Sequence, residues 1–294
     1  MKSKVQNLFF NTMAYFYIAA MSLFCLLPFI LLISASFTDE GAIFENGYTF
    51  WPSKFSLEAY KVALSGSTNV AKAYGVSIGV TLIGTVLGLL AMIMAANVLQ
   101  RKDFKYRNQI SFYFYFTTLF NGGLVSYYVL IASFLHLKNS YLALLLPVLM
   151  SPWLILLLRS FVQGIPDALT ESAKIDGAGE FTILFKVIIP LSKPGLATIG
   201  LFLALQYWND WFNASLFITD KSMFPLQYYL QNVIMNAEFA RQLSAKGASS
   251  VSLNAPTESL KMATAVLATG PIILLYPFVQ KYFIRGLTVG AVKG

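Results

Sequence analysis

The side chains with most chemical content lie close together in this 294-residue chain: Gln206, Tyr207, Trp208, Asn209, Asp210, Trp211 and Asn213. Flat aromatic rings pack against pyranose faces, and amides with a carboxylate satisfy hydroxyls, so the set suits a sugar. It falls inside an apolar run, where a carboxylate costs about a few kcal/mol unless it faces a bundle interior or water. Trp208, Asn209, Asp210 and Trp211 are therefore candidates for a polar path, joined by Asn121 in the break Asn121-Gly122-Gly123. A second account keeps Asp210 as a local cap near one interface, with both tryptophans in an aromatic belt. Asp210 lies roughly 22 Å beyond Gly195 along a helix, at a depth that suits either account.

Other chemistry is missing. There is no G-x-x-x-x-G-K-[ST] loop to cradle a nucleotide and no HExxH pair for a metal. His136, the only histidine, has no carboxylate near it in sequence to suggest a Ser-His-Asp set, and Cys25, the only cysteine, excludes an internal disulfide. His136 reads as a surface residue, and Cys25 as a small buried one. The chain is a poor candidate for an enzyme, and any energy it uses must come from outside.

The elements that hold these residues are membrane spans. The chain is 57% hydrophobic and only 12% charged, about half the usual charged fraction. Six apolar runs have spanning length, at 12–37, 74–99, 110–135, 140–162, 195–218 and 260–284. The expected fold is therefore all-α and integral to the membrane, with residues 1–11 and 285–294 as tails. Placing both tails inside puts 13 of the 21 Lys and Arg on inner segments, against five of the 13 acids. The positive-inside rule thus favours cytoplasmic termini, and the net charge of +8 needs no nucleic acid to explain it. Gly75, Gly79, Gly84 and Gly88 in the second span suit close helix packing. The third span should break at Asn121–Gly123, and the fourth should kink at Pro147 and Pro152. Outside, Tyr48, Trp51 and Tyr60 suit the headgroup level, and the stretch from Pro225 is expected to be an amphipathic helix.

Between the fourth and fifth spans lies a cytoplasmic stretch, 165–194, that reads as two short amphipathic helices. The first follows Pro166 and stops at Asp176-Gly177, where glycine supplies a left-handed cap. The second starts near Glu180. Two short helices joined by a glycine turn make a knob suited to being gripped by a partner.

Glu171-Ser172-Ala173, then three residues, Gly177, nine residues and Val187, Ile189 and Pro190 resemble the cytoplasmic E-A-A motif of membrane subunits of ABC importers. Ser172, Val187 and Ile189 are conservative departures from it. Asp176-Gly177-Ala178, Lys193-Pro194, the Trp208–Trp211 run and the C-terminal RGLTVGAVKG look like the carbohydrate-importer branch, of maltose-permease type. Phe120–Leu124 resembles its subgroup for oligosaccharides derived from complex polysaccharides, including acidic ones such as alginate fragments. The resemblance implies a permease in a bacterial inner membrane, working with a second permease in a heterodimer, two ATPase subunits and an extracytoplasmic sugar-binding protein. ATP and Mg would sit on the ATPases, with no cofactor on this chain. Glu171, Ser172, Ala173, Asp176, Gly177, Ala178 and Pro190 would form the ATPase-coupling site, with Pro190 as the restart into the fifth span. By the same resemblance, the outer loop 220–258 would meet the binding protein and the C-terminal tail the ATPases. An ion-gradient transporter is the alternative, but it would usually carry an inverted repeat and more intramembrane acids.

Overall fold

The computed structural model describes residues 2–64, 70–245 and 257–273. Its regular elements are all helices: α1 (Lys2–Ser36), α2 (Glu40–Asn46), α3 (Glu58–Leu64), α4 (Val70–Gln100), α5 (Arg107–Leu119), α6 (Leu124–Tyr128), α7 (Leu142–Leu149), α8 (Pro152–Val162), α9 (Asp167–Ile175), α10 (Glu180–Ile183), α11 (Ile189–Leu191), α12 (Lys193–Trp208), α13 (Phe212–Phe217) and α14 (Leu226–Ala245). A last helix, α15, covers 258–273. Wider helical turns extend α6 to Phe134 and join α10 to α11.

Among the described residues, two helices are long and apolar enough to cross a membrane unbroken, Phe10–Ser36 and Val70–Gln100. Three bent pairs have the same composition: α5 with Leu124–Phe134 (115°), α7 with α8 (50°) and Glu180–Leu191 with α12 (83°). The first bend falls at Asn121–Gly123, where Gly123 takes φ +85° and donates its N–H to Asn121 Oδ1 at 2.8 Å. The second falls at Ser151, held extended by the proline that follows it. Pro147, expected at a kink, lies inside α7 instead. The expected fifth span, 195–218, is interrupted after Trp208 and resumes as α13. Pro190 is not the restart into it. Pro190 lies inside α11, and Pro194 occupies the first turn of α12, where its missing N–H costs nothing. Residues 274–284 of the sixth expected span and the tail 285–294 lie outside the described residues, as do 246–256 of the outer loop.

The chain groups into two compact units, 1–69 with 230–271 and 70–229 with 272–294. In the first, Phe37 stacks on Phe55 and Tyr60, so Tyr60 is an internal contact as well as an interfacial candidate. Tyr48 donates to Glu258, while Trp51 stays exposed. Cys25 is exposed on the flank of α1, not buried as expected, because that helix is apolar all round and buries none of its spanning window. The buried Glu40 carboxylate caps the start of α15. It accepts from the Glu258 and Ser259 amides, both at 2.9 Å, and from the Thr257 and Ser259 hydroxyls at 2.9 and 2.8 Å.

Burial pushes the Glu40 carboxyl up, but these donors outweigh it and its pKa is lowered from 4.5. A depressed carboxylate contributes stability that is present above its unfolded value and lost as pH falls through the folded one. Glu40→Ala leaves two helix-terminal amides without this acceptor and should cost about 1–3 kcal/mol. Thermal melting in detergent measures it, and the gap between variant and parent should close below about pH 4.5.

In the second unit α4 is the central helix, packed by α12, α8 and α7. Met92, Ile93, Ala96 and Leu99 of α4 are buried, with Leu144, Leu154, Ile155, Leu158, Ile199 and Leu203 from the other three helices. The four glycines of α4 divide. A Cβ on Gly84 would stand 2.4 Å from the Tyr207 ring, and one on Gly88 would stand 2.8 Å from the Leu149 carbonyl oxygen. Gly75 and Gly79 have nothing within 4 Å, so the packing role expected for all four belongs to two of them.

Candidate functional sites

Two grooves lie at the break in the α5–α6 pair and at the break after α12, where a polar path is expected. Asn121, Gly122, Tyr127, Pro147, Phe212 and Asn213 line a groove of about 630 Å³. Gln206, Asn209, Asp210, Met150 and Ser151 line a second, of about 480 Å³, with Pro147 shared between them. A hydrogen-bonded chain links the two. Tyr127 donates its hydroxyl to Asn213 Oδ1, and Asn213 donates from Nδ2 to Asp210 Oδ2 at 2.7 Å. The Asn213 amide donates to Asp210 Oδ1 at 3.1 Å, so Asp210 caps α13 and faces a groove at once. Among the described residues, neither groove is lined by a Lys or Arg.

The two tryptophans line neither groove. Trp208 is buried against Tyr74 of α4, with ring centroids 6.5 Å apart. Trp211 is exposed, lies edge-on to Phe212 and lines neither groove. The helical turn explains this: Trp208 falls on the α4 side of α12, beside Tyr207, which donates to the Leu145 carbonyl. Tyr127 was missed by sequence reasoning. Its signal is a phenol one turn beyond a helix-breaking Gly-Gly, which periodicity does not distinguish from its aromatic neighbours.

Two helices joined at Gly177 form the stretch read as a knob, and its turn has an identifiable geometry. Gly177 takes φ +79° and donates to the Lys174 carbonyl at 3.0 Å, while Ala178 donates to the Ala173 carbonyl at 2.9 Å. This pair of bonds is a Schellman cap. It gives Ala173, Gly177 and Ala178 a role in shaping the turn, whereas Glu171, Ser172 and Asp176 stand exposed. Asp176 sits at the C-terminal end of α9, where the helix dipole disfavours a carboxylate. Its charge therefore does not serve the helix. Ile175 is 86% and Phe181 72% exposed, with Leu169 and Phe185 also open. These apolar side chains stand open to the surroundings on an otherwise polar knob.

The basic turn after α4 grips the other side. Arg101 donates to Glu180 at 2.7 Å and holds both oxygens of Asp103, at 3.0 and 2.6 Å. Lys102 pairs with Asp167 at 2.9 Å. The guanidinium of Arg101 holds the Asp103 carboxyl down at about 2 and is the first cause of the lowered Glu180. Glu171, Thr170, Lys174 and Gln100 line the cleft between them, of about 290 Å³.

The family described as "binding-protein-dependent transport system inner membrane component" matches residues 84–289. The chain is 38% identical to the polygalacturonan/rhamnogalacturonan transport system permease protein YtcP of Bacillus subtilis, covering 99% of this chain and 100% of that one. It is 30% identical to the trehalose/maltose transport system permease protein MalG of Thermococcus litoralis, covering 93% and 94%. A solved bacterial ABC transporter involved in import of the acidic polysaccharide alginate has a chain of similar fold. Its TM-score is 0.77 at 30% identity, over 94% of this chain and 96% of that one.

Proposed function

The chain belongs to the binding-protein-dependent transport system inner membrane components, and from that premise we propose how it works in a carbohydrate ABC importer. It is a transport component of the inner membrane, not an enzyme, and functions with an ATPase and a substrate-binding protein. In the finer reading, six spans place both termini in the cytoplasm, and a second permease completes the pathway. Two ATPase subunits hydrolyse ATP with Mg, each gripping one permease knob. The knob at 165–194 is the coupling element, with Glu171, Asp176 and the open side chains of Ile175 and Phe181 as its contact surface.

The observation that carries this reading is the knob: a Schellman-capped pair of short helices with unpartnered apolar side chains and a carboxylate its own helix does not favour. Asn121, Asn209, Asp210, Tyr127 and Asn213 form this chain's part of the sugar path; Trp208 and Trp211 do not line it. Amides, hydroxyls and one carboxylate suit sugar hydroxyls. A polyanionic oligosaccharide would need its cations from the partner permease.

Affinity purification of the tagged chain in mild detergent tests the assembly. Recovery of a second permease and an ATPase supports it; recovery of the chain alone, with uptake following an ion gradient, overturns it. Asp210→Asn keeps an acceptor for the Asn213 amide but removes one carboxylate oxygen from its side chain. Uptake KM in proteoliposomes should change roughly fivefold or more, with the amount of co-purified ATPase unchanged. Unaltered kinetics would leave Asp210 as a cap only.

A further inference from the structure

The two short helices of the knob begin with Asp167 and Glu180, and both first-turn acids are held by consecutive cations at the end of α4. We propose that Arg101, with Lys102 beside it, is a positioning residue that ties the knob to the second span, so that α4 moves with the knob during the ATP cycle. This rests on the importer reading above and extends it to a helix that lies far from the knob in sequence.

Three observations carry the proposal. First, Arg101 binds two carboxylates at once, Asp103 through a fork of two bonds and Glu180 through its remaining nitrogen. A planar guanidinium presents such a fork together with a further donor in a fixed geometry; an ammonium is a point charge. Second, the two Glu180 oxygens are divided, one to Arg101 and the other to Lys174 of α9 at 3.6 Å. A single carboxylate thus joins α4, α9 and α10. Third, the far half of α4 packs on α12, where Gly84 abuts Tyr207, three residues before Asp210. A displacement at Arg101 is therefore passed along a stiff helix to α12, the helix whose Gln206 lines the second groove. The pairs are partly exposed, so each adds little to stability, and their effect belongs in coupling rather than in melting.

The test uses the complete transporter in nanodiscs, with Cys25→Ser removing the native thiol of this chain. Ile83→Cys places a reporter on the exposed flank of α4. A methanethiosulfonate reagent measures its modification rate with and without trapping by ATP and vanadate. In the parent the rate should change roughly fivefold or more on trapping. In Arg101→Met and in Glu180→Gln the change should fall below about twofold, while ATPase activity stays within about twofold of the parent. The double variant should be no worse than the more affected single, because both remove one interaction, and Arg101→Lys should lie between parent and Arg101→Met.

A full nucleotide response in both single variants would overturn the proposal. So would a parallel fall in ATPase activity, which would mean a role in assembly. If Arg101→Met fails to assemble, the near-isosteric Glu180→Gln decides alone. A parent complex with no nucleotide response at all would remove the importer reading, and this inference with it.

Discussion

Gly177→Pro abolishes ATP-driven uptake while the chain still inserts in the membrane. Gly177 sits at φ +79°, and the proline ring locks φ near about −65°. The substitution also deletes the N–H that Gly177 donates to the Lys174 carbonyl at 3.0 Å, one of the two bonds of the cap. Together these effects cost about 3 kcal/mol or more locally. The exposed turn cannot recover that by repacking, so α9 and α10 lose their mutual angle. The spans do not depend on the turn for their burial. Uptake should therefore fall roughly tenfold or more, with membrane-extracted protein near the parental level. Gly177→Ala, which bears only the cost of a left-handed non-glycine residue, about 1–2 kcal/mol, should lie between. Normal transport by the proline variant would show that the knob's shape is not what the ATPases read.

Gly88→Leu breaks the second unit. Its Cβ would stand 2.6 Å from Leu203 Cδ2 and 2.8 Å from the Leu149 carbonyl oxygen. A leucine side chain can rotate aside, but a backbone carbonyl at the end of α7 cannot, so α4 and α7 must separate. Overpacking of this kind costs about 1–3 kcal/mol before the extra side-chain atoms are placed. The yield of monodisperse protein in detergent and its melting temperature should both fall. Gly79→Leu is the matched control: the same helix, the same substitution and no neighbour within 4 Å. It should melt at or above the parental temperature, since leucine is the better helix former. Equal loss in the two variants would mean that packing at Gly88 is not what holds α4.

The contrast between these glycines shows why sequence carried some features and not others. The turn at Gly177 depends on residues 173–178, so local chemistry was enough to locate it and to separate the two short helices. The Asn121–Gly123 break is equally local: two glycines and an amide that supplies its own backbone partner. Apolar length marked candidate membrane segments for the same reason, since it is a property of a continuous stretch.

What the tertiary structure decided are matters of rotation and of partners distant in sequence. Periodicity placed Trp208 beside Asp210 but not on which side of α12; packing against Tyr74 turned it away from the grooves. Tyr127 and Asn213 are 86 residues apart, and Arg101 and Glu180 are 79 apart. Nothing in either local sequence names the other. The chain thus determined by itself that it crosses a membrane and presents a capped knob, because hydrophobic length and backbone conformation act over neighbouring residues. Only the folded structure decided which glycines touch, which aromatic rings leave the path and which cations hold the knob, because helix rotation is set by the packing of all faces together.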